Sequence, residues 1–470
     1  MKRILPSIFL IMLTGCHLGP RYEVPCVEIP TQWKNKEKAI SKPDVKCWWE
    51  VFNDEILNNL ESCAIENSPN LYVALERVVE ARAAAGVSRA NLFPQINLEP
   101  SYTDSISLTQ FEAPSQLGLP IANKPYRFQQ VNGSLPLDLS YQLDLWGMYR
   151  GQFDSAVLNA EAESSAYYAA LLTLTADLAR AYYQMRTLDA QIDLLVATKK
   201  VREDARDVNR ARWNAGLINY TDVTRAELEY SNASARLYDF IRQRNLQENQ
   251  IAVLVGVNAS CFELPHNPLE RAPPEVPANI PSAVLLNRPD INEAERQMAS
   301  QHALIGVAYA AFFPQINLTG SLGYSSPTLH DFLRWKSRLW SLGATAVQNV
   351  FDGGRDISNL EESWARFYQT EGTYQNQILI AFREVEDALS NLELQSLQYQ
   401  KLQDSVESAN LTTKLSSNRY SRGLVNYLDV VDSERAELEV EITAIDLLGA
   451  RYLSTIQLIK ALGGTWETPS

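Results

Sequence analysis

Between residues 153 and 195, apolar side chains recur at alternating steps of four and three: Phe153, Val157, Ala160, Ser164, Tyr167, Leu171, Leu174 and onward to Ile192 and Leu195. That spacing keeps one stripe on one side of a helix, at the period of a coiled coil. The stripe returns 207 positions later, from Leu360, Trp364 and Phe367 to Tyr399 and Leu402, and the polar interruptions Ser164 and Glu371 coincide. A shorter stripe follows each: Val223, Ala226, Tyr230, Ala233, Leu237 and Phe240, then Val430, Ser433, Glu437, Val440, Ala444 and Leu447. Each pair predicts a long helical hairpin, over about 150–256 and about 353–463. The first arm alone would span ~95 Å at the helical rise, too elongated for one compact core.

Ahead of each hairpin the period changes from 3.5 to 2. Leu135, Leu137, Leu139, Tyr141, Leu143 and Leu145 alternate without a break, and Ile96, Leu98, Tyr102, Ile106 and Leu108 share one face. In the second half Ile316, Leu318, Leu322 and Tyr324 alternate, and Trp340, Leu342, Ala344 and Ala346 do so more weakly. These patterns predict four amphipathic strands in two β-hairpins, at about 95–108, 130–145, 315–326 and 338–350. Pro100 and Pro136 fall inside the first pair, where a central strand tolerates proline poorly. A helix precedes each hairpin, opened by Pro69 or Pro289 and stopped by the proline of the following Phe-Pro-Gln-Ile-Asn-Leu.

That hexapeptide stands at 93–98 and again, unchanged, at 313–318, an offset of 220. Beyond it the offset falls to 207, so the first copy carries 13 extra residues between the hexapeptide and the long helix. The chain is therefore two tandem repeats of helix, β-hairpin and long helical hairpin, residues 67–257 and 287–464. A proline-rich linker, 258–286, joins them; an extended segment, 16–66, precedes them and a short tail, 465–470, follows.

The helical hairpins turn on a repeated motif, Ala-Gly-Leu-Ile-Asn-Tyr-Thr-Asp-Val at 215–223 and Arg-Gly-Leu-Val-Asn-Tyr-Leu-Asp-Val at 422–430. Gly216 and Gly423 suit the left-handed residue of a tight helix–helix turn. Asn219 and Asn426 stand where a side chain caps the next helix. Turn chemistry accounts for those residues without invoking function, but not for the match that continues beyond the cap.

Charge and targeting signals then narrow the setting. A net charge of −14 and a pI near 5.0 argue against a nucleic-acid partner. Lys2 and Arg3, the apolar stretch Ile4 to Leu13 and the box Leu13-Thr14-Gly15-Cys16 predict a lipoprotein signal peptide, 1–15, cleaved to leave Cys16 as an acylated first residue. An ordinary signal peptide with an incidental cysteine is the alternative. His17 rather than an aspartate follows Cys16, which favours the outer membrane over the inner. No later run is apolar enough for a spanning helix, so any crossing has to be a closed β-barrel.

Catalytic patterns are absent: the chain has no Gly-x-Ser-x-Gly, P-loop, His-Glu-x-x-His or paired Cys-x-x-Cys. His266, His302 and His330 are scattered and read as surface or packing residues. Cys26, Cys47, Cys63 and Cys261 could pair in an oxidising periplasm, but their spacing names no partners. No enzyme and no cofactor is expected.

The lipobox, Leu-Asp-Leu-Trp-Gly-Met-Tyr-Arg at 143–150, Asn-Arg-Pro-Asp-Ile-Asn-Glu-Ala-Glu-Arg-Gln at 287–297, both hexapeptides and both tip motifs together resemble the outer membrane factor (TolC/OprM-like) family, in its NodT-like lipoprotein branch. The resemblance covers nearly the whole chain. It implies a mainly α protein with a β-barrel membrane part. Three subunits giving four strands each would form a 12-stranded barrel on a periplasmic α-helical cylinder. It implies a homotrimer anchored in outer-membrane lipid and passing small molecules outward from a periplasmic adaptor protein and an inner-membrane transporter. The physics agrees, because four strands cannot close a barrel alone and open edges are not tolerated in lipid.

By the same resemblance the periplasmic tips form the gate. Asp429 and Asp432 would supply acidic rings, Tyr420 the linking aromatic, and Asp222 a partner on the neighbouring hairpin. Where some relatives carry arginine this chain has Val425, leaving Arg422 or Arg419 as substitutes. Asp429 and Asp432 are also residues that a helix start favours on its own account. Gly216, Leu217, Asn219, Gly423, Leu424 and Asn426 would form the turns and the surface met by the adaptor. Two rival functions remain: an exit duct for type I protein secretion, with the same fold, and a non-channel periplasmic coiled-coil lipoprotein, which would not need the alternating strands.

Overall fold

A computed structural model describes residues 18–25, 47–109, 126–269, 271–274, 285 and 288–464. Cys16, the expected lipid-bearing residue, lies outside them, as does Cys26. Among the described residues Cys47, Cys63 and Cys261 form no disulfide.

The repeat governs the element boundaries. α1 (Glu55–Asn67) and α2 (Pro69–Ala90) lead into β1 (Gln95–Leu98), β2 (Ser101–Thr109) and β3 (Tyr126–Leu143), then α3 (Met148–Asn214) and α4 (Tyr220–Val255). The second copy runs α5 (Pro289–Ala310), β4 (Gln315–Ser326), β5 (Arg338–Val347), α6 (Arg355–Ser421) and α7 (Tyr427–Ala461). α2 and α5 start and stop at an offset of 220, while α3 and α6 start and stop at 207, so the 13 extra residues all fall within the first β-hairpin. Proline opens α2 and α5, at the helical position whose N–H is unpaired in any case.

Two compact units divide the chain, and each draws on both repeats: one holds residues 1–24, 80–160 and 296–370, the other 25–79, 161–295 and 371–470. The first contains the sheet. Its order is β1-β3-β4-β5, with β2 also on β3 and all pairs antiparallel.

The register separates the two faces row by row. Leu98, Leu137, Leu322 and Trp340 form one continuous row across all four positions, and Asn97, Asp138, Ser321 and Ser341 form the row beside it on the opposite face. Side chains of the apolar rows stand open, with Leu98 61%, Leu322 62%, Trp340 74% and Leu342 82% exposed. The polar rows bond to one another: Ser101 Oγ lies 2.7 Å from Ser134 Oγ, and Gln142 Nε2 donates to Gln315 Oε1 at 3.2 Å.

Limits of three of the four expected strands differ from the sequence expectation. The first strand is broken at Glu99 and Pro100 into β1 and β2, yet its register on β3 is the same on both sides. Pro136 sits in β3 opposite that break, and its carbonyl accepts from Glu99 N–H at 3.3 Å. The missing N–H of Pro136 therefore faces the interruption, which is how a central strand accommodates it. β3 begins at Tyr126 rather than 130 and stops at Leu143, because Asp144 turns to cap α3, accepting from the N–H groups of Tyr149 and Arg150 at 3.1 and 2.9 Å. β5 stops at Val347 rather than 350, ahead of Asp352, which accepts from Gly354 and Asp356 N–H at 2.9 and 2.8 Å.

On its other side Pro136 pairs with Gly323, where a Cβ would lie 2.2 Å from Leu135 O and 2.7 Å from Pro136 Cα. Gly323→Ala forces β3 and β4 apart at that point. It is expected to cost roughly 1–3 kcal/mol, read as a lower melting temperature of the purified protein; an unchanged melt would refute the close approach.

The second unit is helical. No position of the four sequence stripes is exposed, and from Leu174 to Leu195 every stripe residue of α3 is buried. The segment expected to be extended, 16–66, contains α1 instead. Asp54 caps it by accepting from Ile56 and Leu57 N–H, and Leu57, Leu60 and Ala64 bury its inner face. Tyr182 Oη donates to the same Asp54 at 2.7 Å, and Phe52, Tyr183 and Tyr452 stack beside it. The start of the linker is tied down by side chains: Arg186 donates to Pro265 O at 2.6 Å and Arg244 to Leu264 O at 2.9 Å.

Candidate functional site

The two hairpin tips share one backbone design. Gly216 and Gly423 sit at φ +72° and +71°, in the left-handed region. Gly216 and Leu217 N–H donate to Trp213 and Arg212 carbonyls at 2.8 and 2.9 Å; Gly423 and Leu424 repeat this on Tyr420 and Arg419 at 2.9 and 2.9 Å. This paired closure satisfies the last carbonyls of each incoming helix. The aromatic pairs also correspond, Trp213 with Tyr220 at 5.1 Å and Tyr420 with Tyr427 at 5.5 Å between ring centres. Asn219 makes no capping bond with its side chain, contrary to the sequence expectation. At the second tip Asp429 Oδ2 accepts from Asn426 N–H at 3.1 Å, tightening the turn from the helix side.

Identical turns have unequal surroundings. Tyr220 is 58% exposed, whereas its counterpart Tyr427 is 4% exposed and joins Val430, Val431 and Ala226 in one buried cluster, with Tyr420 packed against it. The second tip is thus docked on the first hairpin. Polar links ring the cluster. Tyr420 Oη donates to Asn209 Oδ1 at 3.2 Å, with the Arg212 guanidinium 5.2 Å above its ring. Arg435 Nε donates to Glu229 Oε1 at 2.9 Å, Arg202 donates to Glu434, and Arg236 reaches Glu439 at 3.2 Å.

Burial acts on the ionisable groups here. It pushes the Tyr427 hydroxyl up to about 12, helped by the negative charge of Glu434. Burial likewise raises Glu434 above the ordinary carboxylate value, with Arg202 opposing it.

The residues expected at the gate fall into three situations. Tyr420 donates from its hydroxyl to Asn209 on α3. Asp222 pairs within its own helix, its carboxylate 3.6 Å from Arg225. Asp429 and Asp432 stand exposed on the first turns of α7, with Arg435 Nη1 3.9 Å from Asp432. Neither Arg419 nor Arg422 forms an ion pair among the described residues. Leu217 and Leu424 are 71% and 66% exposed at the two apices.

Sequence reasoning missed Arg202, Asn209, Glu229, Glu434 and Arg435. One signal was available: Arg-Ala-Glu-Leu-Glu stands at 225–229 and again at 435–439, offset by 210 instead of 207. The three-residue slip sets Arg435 against Glu229, while Arg225 turns back to Asp222.

The family model described as "Outer membrane efflux protein" matches residues 60–257 and 280–464, one segment for each repeat. Outer membrane protein OprJ of Pseudomonas aeruginosa is 30% identical over 467 residues, 98% of this chain and 96% of OprJ. The probable outer membrane lipoprotein SilC of Salmonella typhimurium is 28% identical over 473 residues, 99% of each chain. A crystal structure of CusC, solved in a study of folding and transmembrane channel formation, superposes with a TM-score of 0.84 at 27% identity, covering 96% of this chain and 100% of that one.

Proposed function

The chain belongs to the outer membrane efflux protein family, and we propose that three copies of it close one transmembrane barrel whose periplasmic end is gated by the hairpin tips. In keeping with the family's description as outer membrane efflux proteins, the role is that of the outer-membrane exit duct of an efflux system. The observation that carries the channel is the two-faced sheet. Its apolar rows stand uncovered while the rows of the opposite face are mostly polar, as in Asn97, Asp138, Ser321 and Ser341, as a wall between lipid and a water-filled lumen requires.

The chain's sheet leaves β5 and the β1–β2 strand as edges. Unpaired edges are costly in lipid, and pairing each edge with a neighbour's removes both. Three subunits of four strand positions give the 12-stranded barrel. Cys16 supplies the lipid anchor, as the signal sequence suggests.

The docked second tip is the closed gate. Undocking α7 from α3 and α4 is the opening movement, and threefold symmetry then governs how near the carboxylates of Asp429 and Asp432 come to a common axis. Three like charges there repel anions and draw cations. The exposed Leu217 and Leu424, with Gly216, Asn219, Gly423 and Asn426 shaping the turns, form the surface for a periplasmic adaptor, whose inner-membrane transporter supplies the energy. The duct itself is passive and carries out no chemical transformation.

Single-channel recording in planar bilayers tests this directly. Wild type should conduct in small, cation-selective steps blocked by divalent cations, and Asp429→Ala with Asp432→Ala should abolish the block. No conductance in any form would remove the channel; conductance indifferent to both substitutions would remove the gate assignment.

A further inference from the structure

On β4 and β5 the apolar face ends, at the turn between them, in a group of cations that the gate does not employ, while β2 and β3 run on past that level. Residues 327–338 carry Arg334, Lys336 and Arg338 against one acid, Asp331, on a chain of net charge −14. The cations are held together. Asp331 lies 2.9 Å from Arg334 Nη1 and 2.7 Å from Lys336 Nζ, so one carboxylate fixes two of them side by side. The Arg338 guanidinium lies 4.2 Å over the Trp335 ring and donates to Trp335 O at 2.9 Å.

Their position follows from the register. Arg338 pairs with Tyr324, which pairs with Leu135, in the same face parity as the Trp340–Leu322–Leu137–Leu98 row and one row farther from the helices. Arg338 therefore caps the apolar face of the β4–β5 pair, with the β2–β3 hairpin rising past it alongside. Around it Leu333, Trp335 and Trp340 are 69%, 74% and 74% exposed. Tryptophan where an apolar band ends is suited to the boundary between acyl chains and headgroups. A cation just beyond it is suited to a phosphate.

We propose that this cap is a binding surface for a phosphorylated lipid of the membrane's outer leaflet. Arg334, Lys336 and Arg338 meet its phosphate groups, and Leu333, Trp335 and Trp340 lie against its apolar part. The proposal rests on the sheet crossing the membrane with the β4–β5 turn on the outer side. Charge complementarity and continuity with the lipid-facing rows both favour a lipid occupant over a soluble protein.

The test uses the full-length protein in detergent, with native mass spectrometry of bound lipid. The probes are bis-phosphorylated lipid A, the same lipid with its phosphates removed, and phosphatidylglycerol. Wild type should retain the bis-phosphorylated lipid about 10- to 100-fold better than the dephosphorylated one, from the attraction per cation near a charged surface. Retention of phosphatidylglycerol should be weaker than that of the bis-phosphorylated lipid. Combined Arg334→Ala, Lys336→Ala and Arg338→Ala should lose that preference, with bilayer conductance unchanged. Equal retention by the triple variant, or no preference for phosphate or for the bis-phosphorylated lipid, would overturn the proposal. Loss of conductance in the wild type itself would instead strike at the barrel.

Discussion

Tyr420→Phe combined with Arg435→Ala is expected to spring the second tip and leave the duct open. Tyr420→Phe keeps the ring in its cluster with Tyr427, Val430 and Val431 but removes its hydrogen bond to Asn209; such a bond is worth about 0.5–1.5 kcal/mol. Arg435 is half exposed, so its attraction for Glu229 contributes little by itself. The cost lies in what it leaves behind: Glu229 is 6% exposed and would be a buried carboxylate without its guanidinium, a penalty of about 1–3 kcal/mol. Together the losses approach 2–4 kcal/mol per subunit, a shift of roughly 30- to 1,000-fold toward the undocked tip. The expected readings are long-lived high-conductance openings in bilayers and cells sensitised to large polar antibiotics. Asp222→Ala should change little beside it, because its pairing with Arg225 is confined to one helix. A double variant that conducts like wild type would mean the links seen here do not hold the gate.

The contrast between tip and stripe explains what the sequence could disclose. Helical arms, strands and the duplication are local, periodic properties, and a stripe such as Leu174 to Leu195 announces its buried side through spacing alone. The repeated glycines likewise reveal the turns, because positive φ is a demand of the backbone at a single residue. Docking is different. Tyr427 and Tyr220 occupy equivalent places in the same motif, and only contacts with α3 and α4, some two hundred residues away, bury one and leave the other open. Strand ends were obscured for another reason. In β3 the alternation lapses ahead of Val131, where Gln129 on the otherwise apolar face bonds to Asp104, yet the ladder continues to Tyr126 because backbone pairing does not require apolar side chains. Asn-Arg-Pro-Asp at 287–290 shows the limit most clearly: it stood out as a motif, while the partners that explain its arginine lie 96 and 173 residues further along.

That arginine carries the largest expected effect on stability. Arg288 is 6% exposed, and its guanidinium serves three elements at once. Nε and Nη2 donate to the two Asp290 oxygens at 3.0 and 2.7 Å, at the start of α5. Nη1 donates to Glu384 on α6 at 2.9 Å and to Ala461 O, a terminal carbonyl of α7, at 2.8 Å. Arg288→Ala strands two carboxylates and a helix-end carbonyl together. Removing one side of a buried ion pair costs about 3–5 kcal/mol; the carboxylates retain some solvent contact, so the lower end, about 3 kcal/mol, is expected. Arg288→Lys should recover only part, since an ammonium lacks the planar fork that reaches three directions. The pH dependence gives the assignment a second check. Burial opposes ionisation of Asp290, but the bonds and charge of Arg288, with Gln377, outweigh it and hold the carboxyl below its ordinary value. A depressed folded value adds stability that is present above the unfolded carboxylate pKa, about 4, and is lost as pH falls through the folded one. The melting-temperature gap between wild type and Arg288→Ala should therefore be wide at pH 7 and narrow below pH ~4. A gap that stays constant across that range would mean Arg288 acts by packing alone, and the ionic account of this junction would fail.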